Sequence, residues 1–117
     1  MRNPKKLKAF ELADRLVLEI YRATHGFPRE EIYGVTSQLR RAAVSVPTNI
    51  VEGCARTSQK DYVHFLTIAY ASLAEVGYLL ELTNRLGYLS NDAFQPLTNL
   101  QQEAYSVIYG LIRSLSN

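Results

Sequence analysis

Apolar residues recur at helical spacing in four separate stretches of the chain, and this periodicity limits the available folds most strongly. Positions three and four residues apart lie on one face of an α-helix, so each stretch predicts a helix with one buried stripe. The stretches cover about residues 9–24, 36–53, 58–86 and 91–115. None shows strand alternation, and no hairpin turn signal separates them. The sequence therefore predicts an all-α fold.

Each stripe supplies its own set of predicted core residues. The first consists of Phe10, Ala13, Val17, Ile20, Tyr21 and Thr24, broadened by Leu12 and Leu16. The second consists of Leu39, Ala42, Ala43, Val46 and Ile50. The third consists of Tyr62, Phe65, Leu66, Ala69, Leu73, Val76, Leu80 and Thr83. The fourth consists of Phe94, Leu97, Leu100, Ala104, Val107, Ile108, Leu111, Ile112 and Leu115.

Capping residues mark where the predicted helices begin and end. Thr36 is a candidate N-cap for the second helix, and Ser58 with Asp61 forms a variant capping box for the third. Gly87 is placed to end the third helix, and Ser90 to cap the fourth. Because the connection between them is short, neighbouring helices should run antiparallel. The 117 residues are predicted to form one antiparallel up-down four-helix bundle domain.

One residue in the second helix contradicts its periodic pattern. Pro47 lies inside the apolar run, where proline removes a backbone donor and clashes with the preceding turn. In an ordinary helix interior this costs about 3 kcal/mol. The sequence therefore predicts a kink at Pro47.

Charge is divided unevenly along the chain. The formal net charge is +2, but residues 1–60 carry 11 Lys and Arg against 6 Asp and Glu, while residues 61–117 carry 2 against 5. A basic half can face an anionic partner such as RNA or DNA, or pair with an acidic surface on another subunit. Charge alone leaves both alternatives open.

The cellular compartment is inferred from three further features. No apolar core of a signal peptide follows the basic N-terminus, and no run approaches the roughly 20 uninterrupted apolar residues of a membrane span. The single Cys54 has no partner for an internal disulfide and is expected to be a buried, inert thiol. The expectation is a cytoplasmic protein with no membrane partner.

A polar row runs along the second helix beside its core stripe. Its members are Gln38, Arg41, Ser45, Asn49, Glu52 and Arg56, spaced by three or four residues. Ser45 and Asn49 are poor choices for a helix interior unless their side chains are used. The row has three readings: a solvated face with pairs such as Glu52 and Arg56, a hydrogen-bonded interface within the bundle or between subunits, or a ligand surface.

Nucleic-acid binding is predicted through basic residues in the first half of the chain. The candidates are Lys5, Lys6, Lys8, Arg40, Arg41, Arg56 and Lys60. Such residues bind backbone phosphate with strong salt dependence and little sequence reading. The alternative is that they are ordinary solubilising charges.

Catalytic and metal-binding patterns are weak, so no catalytic residue, metal or cofactor is predicted. Asp61 and His64 form a single Asp-x-x-His, whereas a metal site in a bundle needs ligands from several helices. A helical ribonuclease of the HEPN type is the remaining enzymatic alternative. It requires an Arg followed four to six residues later by a His, a spacing that neither Arg22 and His25 nor Arg56 and His64 meets.

Two sequence blocks resemble a known family. Residues 27–43 (FPREEIYGVTSQLRRAA), 45–47 (SVP) and 49–53 (NIVEG) resemble the central motif of the 23S rRNA intervening-sequence proteins. Residues 65–69 (FLTIA) and 72–75 (SLAE) are similar to that family's third-helix signature. Two positions depart from it: Val51 replaces a small residue, and Ala71 stands where a glycine often precedes Ser-Leu.

The resemblance implies a four-helix bundle that assembles as a homopentamer and has no catalytic residues. It also relates the chain to accessory proteins of diversity-generating retroelements, which implies nucleic acid and a reverse transcriptase as partners. Carried over by position, the family motif singles out Gln38, Arg41, Ser45, Asn49 and Glu52. The expected function is a non-enzymatic oligomeric adaptor, with a protein-binding assembly module as the alternative.

Overall fold

The computed structural model describes residues 2–116, which form four α-helices and two short 3-10 helices and contain no strand. The α-helices are α1 (Lys8–Thr24), α2 (Val35–Cys54), α3 (Gln59–Arg85) and α4 (Asn91–Leu115). The 3-10 helices, Pro4–Lys6 and Arg29–Glu31, precede α1 and α2 and were not predicted. The all-α prediction is confirmed, and each predicted helix lies within a few residues of an observed one.

The four helices pack in a square. The contacting pairs are α1 with α2, α2 with α3, α3 with α4, and α4 with α1, and within residues 2–116 the diagonal pairs do not meet. At one end, Gln59 at the start of α3 donates to the carbonyl of Leu115 at the end of α4, at 2.7 Å. At the other end, the Tyr88 hydroxyl donates to the Glu31 carboxylate at 2.9 Å. The predicted antiparallel bundle is confirmed.

The predicted stripe of α2 is buried throughout, but that of α1 is rotated from its predicted centre. Leu12 and Leu16, expected to broaden the stripe, are fully buried, whereas Tyr21 is 44% exposed. The Arg40 guanidinium lies 4.6 Å from the centre of the Tyr21 ring, so this aromatic packs under a cation outside the core. The spacing of the apolar residues identified the buried face of α1 but not the centre of that face. A helical face is wide enough to be centred either toward Leu12 and Leu16 or toward Tyr21.

Three predicted caps are present. The Ser58 hydroxyl accepts from the Asp61 amide at 3.1 Å, and the Ser90 hydroxyl accepts from the Ala93 amide at 3.2 Å. Gly87 ends α3 with a φ of 81°, the left-handed conformation that glycine adopts without steric penalty.

The predicted N-cap at Thr36 is wrong. Helix α2 begins one residue earlier, and the Glu31 carboxylate accepts from the Val35 amide at 3.2 Å. Thr36 is buried, and its hydroxyl has no hydrogen-bond partner among residues 2–116. A carboxylate four residues upstream therefore satisfies the helix terminus, where its negative charge also complements the helix dipole.

Proline lies inside two of the helices. Helix α2 continues through Pro47, as the sequence indicated, and α4 continues through Pro96. Pro96 is exposed, and so is Asp92, whose carbonyl loses its helical partner, so water can hydrogen-bond that carbonyl. Ala43, whose carbonyl loses its partner to Pro47, is fully buried. The kink at Pro47 stays a prediction.

Helix α3 is long and apolar. By length and composition alone, α3 could cross a membrane, because one 18-residue window has a mean hydropathy of 1.4. Of the residues in that window, 33% are buried in the bundle. A core helix passes the same test, and the inner side of α3 does form part of the core. Its outer side is also apolar, with Ile68, Ala71, Ala74 and Tyr78 exposed.

Candidate functional site

The polar row of α2 borders α3, and its centre is held by hydrogen bonds. The Ser45 and Ser72 hydroxyls lie 2.9 Å apart across the two helices. The Asn49 amide donates to the Ser45 carbonyl at 2.8 Å and to the Ser45 hydroxyl at 3.0 Å. Ser45 and Asn49 are half-buried, so these bonds explain two polar residues in the middle of a helix. The centre of the row thus makes hydrogen bonds within the bundle, which is one of the three readings of the row.

The N-terminal half of the row opens into a cleft of about 620 Å³ between α2 and α3. Arg41 and Gln38 line it from α2, and Glu75 lines it from α3. The Gln38 amide nitrogen and the Glu75 carboxylate are 3.5 Å apart, so the hydrogen bond between them across the cleft is weak. Tyr33, at its edge, is 96% exposed. The cleft is polar and open to solvent.

Seven cations surround the end of the bundle where α2 and α4 finish, a region called here the basic end. They are Arg2, Lys5, Lys6, Lys8, Arg56, Lys60 and Arg113. The 3-10 helix Pro4–Lys6 packs on α1 and α2, and Arg2 donates to the Arg56 carbonyl at 3.2 Å. Five of the seven basic residues predicted from the sequence are therefore brought together.

Several charges of the basic end are free of internal partners. Lys8 lies 4.0 Å from Glu11, and Arg56 lies 3.8 Å from Glu52. The second pair was predicted from its spacing, but both pairs are exposed and contribute little stability. Within residues 2–116, Lys5, Lys6 and Lys60 form no ion pair. Their ammonium groups are exposed and able to meet an anion.

Arg40 and Arg41 lie away from the basic end. Arg40 donates to the Thr24 hydroxyl at 2.8 Å and to the Tyr21 carbonyl at 3.5 Å, so it ties α2 to the last turn of α1. Arg41 lies in the cleft, 13 positions before Cys54 at the end of α2, which corresponds to about 20 Å of helix between it and the basic end. The structure thus divides the predicted cations into two groups.

Arg2 and Glu31 make contacts that position parts of these sites, and neither residue was predicted from the sequence to do so. The Arg2 guanidinium lies 4.0 Å from the centre of the Tyr62 ring, which draws the N-terminal segment across the basic end. Glu31 joins the start of α2 to Tyr88. The Arg2–Tyr62 and Glu31–Tyr88 contacts join residues more than 50 positions apart, so no local pattern indicates them.

The acidic, histidine and cysteine side chains form no metal-binding cluster within residues 2–116. No group of three or more His, Cys, Asp and Glu is close enough there to hold a metal ion. Cys54 is buried as predicted, and burial raises the pKa of its thiol, which disfavours the reactive thiolate. Arg56 and His64 flank Phe65, with the guanidinium 4.7 Å and the imidazole centre 5.6 Å from the ring centre.

Most of the chain matches a known protein family. The family model described as "23S rRNA-intervening sequence protein" matches residues 5–110. The chain belongs to this family. The match includes the polar row, the cleft and most of the basic end, and it confirms the resemblance carried by residues 27–53 and 65–75.

One solved structure supports the fold. It is a protein of unknown function from the S23 ribosomal protein family of Bacteroides thetaiotaomicron, 22% identical, with a TM-score of 0.83. The alignment covers 90% of this chain and 95% of that one. At this identity the likeness establishes the bundle and nothing finer. No curated protein matches the sequence.

Proposed function

We propose that this protein is a non-enzymatic, homo-oligomeric adaptor of the cytoplasm that binds RNA or another nucleic acid through its basic end. The observation that carries the proposal is the convergence of seven cations around one end of the bundle. Lys5, Lys6 and Lys60 are exposed and free of internal ion pairs within residues 2–116, so phosphate groups can replace solvent around them. Such contacts carry affinity but little sequence information.

The rest of the molecule favours an electrostatic mode of binding. The opposite end, formed by the α1–α2 and α3–α4 connections, balances Arg22, Arg29 and Arg85 with Glu30, Glu31 and Asp92. The long axis of 43 Å therefore separates a basic end from one whose charges offset each other. This polarity orients an approaching polyanion toward the cations. A homopentamer, as the family resemblance implies, would present five basic ends together. A reverse transcriptase remains a proposed protein partner.

Binding to a labelled single-stranded RNA, followed by fluorescence anisotropy, tests this function. If about five phosphates are contacted, the affinity should fall about 100-fold between roughly 50 mM and 200 mM salt, because bound counterions are released. Absence of binding at the lower salt concentration would reject the proposal. Cleavage of the RNA by the purified protein would favour the helical ribonuclease, and His64→Ala would then test the histidine beside Arg56.

A protein-binding assembly module is the second candidate, and the exposed surface of α2 and α3 favours it. Val44, Val51 and Ile68 are exposed there beside the polar row, which supplies hydrogen-bonding groups. The apolar outer side of α3 adds Ala71 and Tyr78. Apolar side chains interspersed with polar groups are typical of surfaces that associate with another subunit.

Light scattering on the wild type and on Ile68→Asp tests self-association through this surface. The wild type should have the mass of an oligomer, and the variant should dissociate, because a carboxylate is poorly tolerated inside an apolar contact. Leu18→Asp is the matched control, since Leu18 is exposed on α1. A monomeric wild type, or equal dissociation of both variants, would contradict association through α2 and α3.

A further inference from the structure

Three tyrosines form a ladder on the outside of α3 and α4. Tyr70 of α3 stacks on Tyr105 of α4, with ring centres 4.1 Å apart and planes 16° from parallel. The centre of the Tyr109 ring is 5.9 Å from that of Tyr70. The Arg113 guanidinium then lies 5.9 Å from the centre of the Tyr109 ring. Tyr105, Tyr109 and Arg113 are spaced by four residues, so they follow one face of α4.

This ladder leads directly to the basic end. Arg113 is both the last member of the α4 stripe and one of the seven cations. On α3, Lys60 and Tyr70 lie on one stripe through Val63 and Thr67, and their separation of ten positions corresponds to about 15 Å. On each helix, a cation therefore lies where the stripe meets the basic end: Lys60 on α3 and Arg113 on α4. No acidic residue lies on either stripe between this cation and the tyrosines.

Tyr70 and Tyr105 are half-buried and pack against the core, so Tyr109 is the accessible ring of the ladder. Ala104 and Ile108 are the fully buried residues on this part of α4, whereas Tyr109 is 47% exposed. Hydrogen bonding with Tyr105 raises the pKa of Tyr70 to about 12. Tyrosine is neutral at physiological pH, so these rings do not repel phosphate. The surface combines an accessible aromatic ring, a flanking guanidinium and nearby ammonium groups.

We propose that the tyrosine ladder is a stacking platform for the unpaired bases of a single-stranded nucleic acid whose phosphates lie on the basic end. The inference rests on the proposed nucleic-acid function and narrows its substrate to strands with accessible bases. Bases stack on aromatic rings and on arginine regardless of their identity, which agrees with binding of little sequence preference. In a duplex the bases are already stacked on one another and unavailable.

Two probes with the same number of phosphates separate stacking from charge: a single-stranded oligonucleotide and an abasic strand of equal length. Wild-type protein should bind the base-bearing strand about 10-fold more tightly, the effect of stacking about one base. Tyr109→Leu should remove this preference and leave abasic binding unchanged. Tyr109→Phe should retain it. Tyr33→Leu, which changes a tyrosine that is 96% exposed and lies in the α1–α2 connection away from the ladder, should alter neither affinity.

Tyrosine fluorescence gives an independent reading, because the chain contains 8 Tyr and no Trp. Stacking should quench it when the base-bearing strand is added, less so in Tyr109→Leu and not with the abasic strand. Equal wild-type affinity for the two strands would overturn the ladder while leaving the basic end intact. Failure to bind either strand would reject the proposed function itself. Loss of oligomer mass in Tyr109→Leu would identify the ladder as a subunit contact and overturn the inference.

Discussion

Replacing Gly53 with valine is expected to lower the free energy of unfolding by about 3 kcal/mol or more. A β-carbon at this position would lie 3.0 Å from the Phe65 β-carbon, 3.1 Å from a ring carbon of Tyr62 and 3.3 Å from the Tyr62 carbonyl oxygen. Two of these atoms belong to the backbone or the base of a side chain, so they move only if α3 moves. Gly53 thus permits the close approach of α2 and α3.

Gly110→Val is the matched control, because a β-carbon at Gly110 would meet nothing within 4 Å. Both glycines lie in helices, so both substitutions change helix propensity alike, by a few tenths of a kcal/mol in favour of valine. Urea unfolding followed by circular dichroism compares the two variants with the wild type. Equal stability of Gly53→Val and the wild type would show that α2 and α3 separate without cost.

The architecture was accessible from the sequence because its determinants are local. The caps act within one turn of the helix ends that they cap, as Ser58, Ser90 and Gly87 do. The period of the apolar residues indicates which face of each helix is buried. Thr36 failed as a cap because the acceptor is the Glu31 side chain, on a 3-10 helix that no periodicity indicated. Tyr21 was misplaced because its partner, Arg40, comes from another helix.

The candidate sites were accessible only in part, for the same physical reason. The polar row follows from spacing on one helix, and its Glu52–Arg56 pair was correctly predicted. The basic residues were identified as a set, but the grouping of Lys5, Lys6 and Lys8 with Arg56 depends on how α1 and α2 align. The tyrosine ladder could not be predicted from either helix alone, because Tyr70 meets Tyr105 only at the particular register that α3 and α4 adopt against each other.

Reversing three charges of the basic end, with Lys5→Glu, Lys6→Glu and Lys60→Glu, is expected to weaken RNA binding about 100-fold at low salt. Each lost phosphate contact also removes about 0.7 from the slope of log affinity against log salt, so the slope should fall by roughly 2. All three side chains are exposed, so the bundle should keep its stability. Anisotropy titrations at several salt concentrations measure both quantities.

A matched set of reversals at the opposite end distinguishes a binding site from net charge. Arg22→Glu, Arg29→Glu and Arg85→Glu change the net charge by the same amount, and these arginines are also exposed. Two of them already pair with acids, Arg22 with Glu19 and Arg85 with Glu81. Their reversal should weaken binding only through long-range repulsion, which salt screens within about 10 Å at 0.1 M. Equal losses in both sets would mean that RNA responds to overall charge, whereas a selective loss would locate its phosphates on the basic end.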